Sequence, residues 1–298
     1  MTGQLIDQQT PNMPGPITTD HRPNDLAIFL AATFGITWGL AAIALFAPEV
    51  IPLVTGRRFD TTNPLYFVAV YSPSIVGVAM IASRSGFAGL GELATRVFRW
   101  RVHPGYYALI LGGMLIVDLL ARIVQFVVAG ETTTSGGLPV WSMLLNGSPP
   151  TPTEFWFAVP LFMVSTLVLD AGPVGEEIGW KGYALPRFLD SKRGPLLASI
   201  TFGLVWGLWH APAFLVSGTA QYDFRLGFFW LMLGTVSSSV IMTWLYRRTN
   251  GSIFASGILV HLMINSTGAQ LWAYELILLV PAALAGISLY RAGRRVTA

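Results

Sequence analysis

The sequence predicts an all-α polytopic membrane protein with about eight transmembrane helices. Three observations carry this. The 298 residues are 53% hydrophobic and only 11% charged, against roughly 25% charged in soluble domains, and mean hydropathy is +0.59. Apolar runs close to the ~20 residues that a spanning helix needs recur along the chain. The ~10-residue alternating segments of a membrane barrel are absent, so the backbone must satisfy itself within helices.

The elements follow in order. Residues 1–24 are polar and proline-rich and lack the basic start and apolar run of a secretory signal, so a flexible tail is expected there. Apolar segments then lie near 25–48, 64–83, 105–129, 155–172, 195–216, 226–246, 252–268 and 271–290. They form one multi-span domain over 25–290, followed by a basic tail at 291–298. Only S-T-G-A-Q separates the last two segments. Between Ser83 and His103, apolar and basic residues alternate at helical spacing. Phe87, Leu90, Leu93, Val97 and Phe98 form one face, as in an interfacial helix on anionic lipid. No fixed-period repeat is found.

Orientation follows from Lys and Arg. With eight spans, fourteen basic residues fall in one set of loops and three in the other, and Arg122 is inside a span. The positive-inside bias puts both termini in the cytoplasm, in the plasma membrane of a prokaryote. The net charge of +3 reflects this loop placement, and no nucleic-acid partner is implied. The lipid bilayer is the implied surrounding. With no cysteine, disulfides, thiolate metal sites and a cysteine nucleophile are excluded.

Ionisable side chains inside spans are expensive and therefore informative. After the fourth apolar run the chain reads P-V-G-E-E-I-G-W-K-G-Y, and a helix can pass Pro173 and continue to Pro186. Glu177 and Lys181 are at i, i+4 in the favourable order for a same-face pair. Glu176 points ~100° away and is left without a local partner, as a general base would be. Solvated charges at a helix end would give the same pattern. His210 follows Trp206 and Trp209, and a packing histidine would fit there too. His261 and Asn265 are at i, i+4 on one side of the seventh span; a helix–helix hydrogen bond is the plain alternative. Counted inward at 1.5 Å per residue, Glu176 and His261 lie ~14 Å deep and His210 ~23 Å, a gap that tilt or helix extension must close. The set would then meet in one polar intramembrane pocket open to the cytoplasm.

These residues resemble the CAAX protease and bacteriocin-processing (CPBP, or Abi) family of intramembrane peptidases. The family's Glu-Glu-x3-Arg-Gly reads E-E-I-G-W-K-G here; its aromatic-x3-His reads W-G-L-W-H; its His-x3-Asn/Asp reads H-L-M-I-N. The three occur in order on separate spans, within a motif core at 155–270. Lys181 stands for the usual Arg and loses the bidentate fork on Glu177. Trp206 stands for the usual Phe.

The resemblance implies a membrane endopeptidase acting on a peptide or protein substrate, C-terminal or membrane-embedded. Glu176 and His210 would activate water, His261 and Asn265 would form the oxyanion hole, and Glu177 with Lys181 would brace the helix. On this reading no cofactor is required. A zinc site from Glu176, His210 and His261 is the chemical alternative, since three protein ligands plus water is the usual catalytic shell. The signatures H-E-x-x-H and G-x-S-x-G are absent. The rival classes are a proton- or ion-coupled transporter built on Asp118 and Arg122, which are i, i+4 in the third span, and a catalytically silent immunity or scaffold protein.

Overall fold

A computed structural model describes residues 15, 17, 22–130, 171–191, 193–267 and 269–296. All regular structure among them is helical. The chain is an integral membrane protein. Five of its described helices are long and apolar enough to cross a bilayer, and apolar side chains such as Ile116, Leu204 and Leu284 point outward, as lipid-facing residues do.

The first is α1 (Asp25–Phe46), followed by a short α2 (Val50–Thr55). Helix α3 (Pro64–Val97) starts at an Asn63 cap and continues past the expected end of its span. It breaks at Gly86, whose φ of 56° is one that glycine tolerates. Its second half is the expected amphipathic segment, with its face divided. Leu93 is buried and Leu90 and Val97 pack against the core, while Phe87 and Phe98 are exposed. Arg96 is fastened inside, donating to the Tyr246 hydroxyl at 3.0 Å and to the Gly15 carbonyl at 2.8 Å. Gly15 and Ile17, within the expected flexible tail, are thus docked on the bundle, with Ile17 buried. Helix α4 (Pro104–Ala129) follows.

Of the expected fourth span, 155–172, all but the last two residues lie outside the described residues. From there α5 (Ala171–Gly179) runs through a π-helical turn (Trp180–Ala184) into α6 (Leu185–Leu189). In that turn the Leu185 N–H donates to the Trp180 carbonyl five residues back. Pro186 was expected to end this helix; it sits instead in the first turn after the π-turn, where its missing N–H costs least.

The expected span 195–216 is shorter. Helix α7 (Pro195–Trp209) stops at His210, because Pro212 disfavours helical geometry at the residue before it, and the chain turns in a 3-10 segment, Ala211–Phe214. Helix α8 (Phe228–Arg248) crosses back. A second π-turn, Phe254–Ile258, leads into α9 (Leu259–Asn265), and α10 (Leu271–Val296) closes the bundle.

Helix α3 packs along α5, α7 on α8, α8 on α10, and α1 on α3. The core is aromatic, with Phe29, Trp180, Tyr183, Phe202, Tyr246 and Tyr274 almost fully buried. A polar knot ties three helices together. Trp209 donates to the Thr37 hydroxyl at 2.9 Å, Trp38 donates to the Trp209 carbonyl at 3.2 Å, and Thr37 shares a 2.7 Å hydrogen bond with Ser72.

Candidate active site

Glu176 and Glu177 leave α5 in different directions, as their ~100° separation requires. Glu177 is fully enclosed. Its Oε2 lies 3.1 Å from Lys181 Nζ, and its Oε1 accepts from His261 Nδ1 at 2.9 Å. The Lys181 contact is an ion pair without hydrogen-bond alignment. The cation is also held over the rings of Phe202, at 4.6 Å, and Trp206, at 5.1 Å. Such close packing requires a small neighbour. A side-chain carbon at Gly257, in the second π-turn, would meet Glu177 Oε2 and Lys181 Cγ at 3.0 Å. Both π-turns therefore border this contact, consistent with their frequent use at functional sites.

Glu176 faces a cavity of about 410 Å³. The sequence suggested that it would be partnerless, and this is corrected: Trp206 Nε1 donates to its Oε2 at 2.7 Å. His210 Nε2 lies 3.8 Å from the same oxygen. The other nitrogen of His210, Nδ1, is 2.9 Å from the Trp206 carbonyl. A carbonyl only accepts, so Nδ1 carries the proton and Nε2 is the nitrogen turned to Glu176. The depth gap closes because the helix of Glu176 extends to Leu189. Glu176 is then roughly 20 Å from that helix end, close to the depth of His210.

His261 and Asn265 also line the cavity. Asn265 is the last residue of α9 and the more exposed of the two. All four expected catalytic residues thus border one space. Its described lining comes from α5 at Gly172 and Glu176, from α9, from the C-terminal halves of α1 and α7, from the N-terminal halves of α3, α8 and α10, and from the loops at Phe59 and 212–221. These are the helix ends remote from the basic segments at 84–101 and 247–248.

Among the described residues no three His, Cys, Asp or Glu side chains are grouped to hold a metal. Trp206 holds one oxygen of Glu176, and Nδ1 of His210 and of His261 meet a carbonyl and a carboxylate, contacts that a metal-bound histidine also makes through its outer nitrogen. Asp118 and Arg122 form an ion pair at 3.0 Å, and neither is among the cavity's described lining residues. Asp118 Oδ1 also accepts from the Thr267 hydroxyl and, at 3.2 Å, from the Ala269 N–H.

Sequence reasoning passed over two lining residues. Trp206 was noted only as a departure from Phe, although an indole N–H, unlike a phenyl ring, can donate to a carboxylate. Glu275 was not singled out, although an ionisable residue in the last apolar run meets the same test applied to the others.

Residues 155–267 match the family model described as Type II CAAX prenyl endopeptidase Rce1-like. The chain is 35% identical over 118 residues to CAAX prenyl protease 2 of Methanococcus maripaludis, a stretch that is 37% of this chain and 41% of that protein. The chain therefore matches about two-fifths of the length of this curated relative.

Proposed function

We propose that the chain, which belongs to the CPBP family through residues 155–267, is an intramembrane endopeptidase that hydrolyses a peptide bond with water activated by Glu176 and His210. The observation that carries this reading is the 3.8 Å separation of Glu176 Oε2 and His210 Nε2 at the cavity wall. Two acceptors at that distance can share one water molecule, which has one O–H for each. Glu176 removes a proton as the water attacks the scissile carbonyl, and then returns it to the leaving amine. His261, with Nδ1–H held by the Glu177 carboxylate, acts as the imidazolium and offers Nε2–H to the oxyanion together with the Asn265 carboxamide N–H. The Trp206 N–H fixes the orientation of the Glu176 carboxylate. No step requires a metal or cofactor.

The relative's name points to substrates cleaved near a prenylated C-terminus. The cavity's apolar lining, including Phe214, Leu231, Ile264 and Leu271, suits an apolar peptide segment or lipidated C-terminus. The working location is a prokaryotic plasma membrane with both termini cytoplasmic.

The test is cleavage of a fluorogenic peptide panel by purified protein in detergent. Glu176→Ala, His210→Ala and Asn265→Ala are each expected to lower cleavage by about 100-fold or more while the protein stays folded. Cleavage is expected to survive exhaustive chelation. Parent-level cleavage by all three variants overturns the reading, and loss of activity on chelation overturns its metal-free form.

A further inference from the structure

The cavity holds a second carboxyl group for which the proposed hydrolysis has no use. Glu275, in the second turn of α10, is 4% exposed and lines the same space as Glu176. Its Oε2 has no hydrogen-bond partner. The hydroxyl of the adjacent Tyr274, also in the lining, has none either. A buried polar atom left unpaired carries a desolvation cost of roughly 1–3 kcal/mol. Such groups are normally satisfied, so each exception calls for an explanation.

The surroundings are built around this carboxyl. A side-chain carbon at Gly234 of α8 would meet Glu275 Oε1, Cδ and Oε2 at 2.2, 2.3 and 2.4 Å. The carboxyl thus occupies the place of a side chain at 234. The neighbouring Thr235 abuts Gly207, the residue after Trp206, and Glu275, Thr235 and Trp206 all line the cavity with Glu176. No lysine or arginine is among the cavity's described lining residues. A carboxyl in a cavity without a cation is the complement of a cationic guest.

We propose that Glu275 forms a recognition subsite that takes a lysine or arginine side chain of the peptide bound in this cavity. This rests on the reading of the cavity as a peptide site, and binding alone can test it. The probes are fluorescent apolar peptides carrying lysine, arginine or norleucine at one position, stepped along the sequence. Their affinity for the full chain in detergent is read by anisotropy. At one position the parent is expected to bind the lysine or arginine peptide about tenfold more tightly than its norleucine counterpart. Glu275→Gln should erase most of that preference and leave norleucine binding unchanged, which also reports an intact cavity. Gly234→Ala, which displaces the carboxyl, should weaken the same preference. Equal binding of charged and norleucine peptides at every position overturns the proposal, as does a preference that survives Glu275→Gln or an absence of binding by any charged peptide. A preference without cleavage by the parent overturns the peptidase reading alone.

Discussion

Two acid–base pairs in this chain share one sequence pattern and take up different positions. Glu177–Lys181 and Asp118–Arg122 are both i, i+4, both buried within apolar helices, and separated by 3.1 and 3.0 Å. The first touches His261 through the second oxygen of its carboxylate, and Lys181 lies under the Trp206 ring that holds Glu176. The second uses its spare oxygen to hold the Thr267 hydroxyl and the Ala269 N–H. Beside it Gln125 accepts from the Gln270 N–H at 2.9 Å. One pair braces the side chains facing the cavity, and the other fastens the turn between α9 and α10. The spacing alone does not distinguish them. The third partner does, and it lies 84 residues away in one case and 149 in the other.

The largest effect is expected from breaking the first pair. Glu177→Ala leaves Lys181 buried without its counter-charge, which typically costs about 3–5 kcal/mol, and should lower the midpoint of thermal unfolding in detergent sharply. Removing both charges in Glu177→Leu/Lys181→Met should recover much of that stability, because replacing a buried pair by apolar side chains is often neutral. Peptide cleavage should stay at least about 100-fold down, since His261 no longer has the carboxylate that orients it. A double variant that is stable and active would show that the pair is only a packing device.

The next effect concerns what surrounds that pair. Trp206→Phe keeps a ring over Lys181 and removes the N–H that donates to Glu176. A hydrogen bond to a charged group contributes about 1.5–3 kcal/mol, so turnover should fall by roughly ten- to a hundredfold with little change in KM and in unfolding midpoint. Unchanged turnover would mean that the carboxylate is positioned by helix packing alone.

These contrasts show how far the sequence could be read. The fold class and the Glu177–Lys181 pair were legible because hydropathy and i, i+4 spacing are local properties. The four cavity-lining residues were found as polar exceptions in apolar runs, which needs no tertiary knowledge. The Trp206–Glu176 and His261–Glu177 contacts were not, because they join helices whose relative rotation depends on packing. The two π-turns also escaped, since an i, i+5 shift leaves no mark in composition, and without it Pro186 reads as a stop.

The smallest effect is expected at the second pair, and it separates fastening from transport. Asp118→Asn keeps a side-chain oxygen that can accept from Thr267 and Ala269 and loses only the charge, so cleavage should fall by no more than about threefold. Asp118→Ala removes the acceptor as well. It frees two donors next to Asn265, each hydrogen bond to a charged group being in the range of about 1.5–3 kcal/mol. Cleavage should then drop by roughly tenfold, through poorer placement of Asn265 at the end of α9. A proton relay predicts no such ranking. Uptake of protons into liposomes would be lost equally in both variants, because neither Asn nor Ala can carry the proton. Equal and complete loss of proton-coupled uptake in Asp118→Asn and Asp118→Ala, with cleavage untouched, would make the third helix a transport element and would end the comparison on which its fastening role rests.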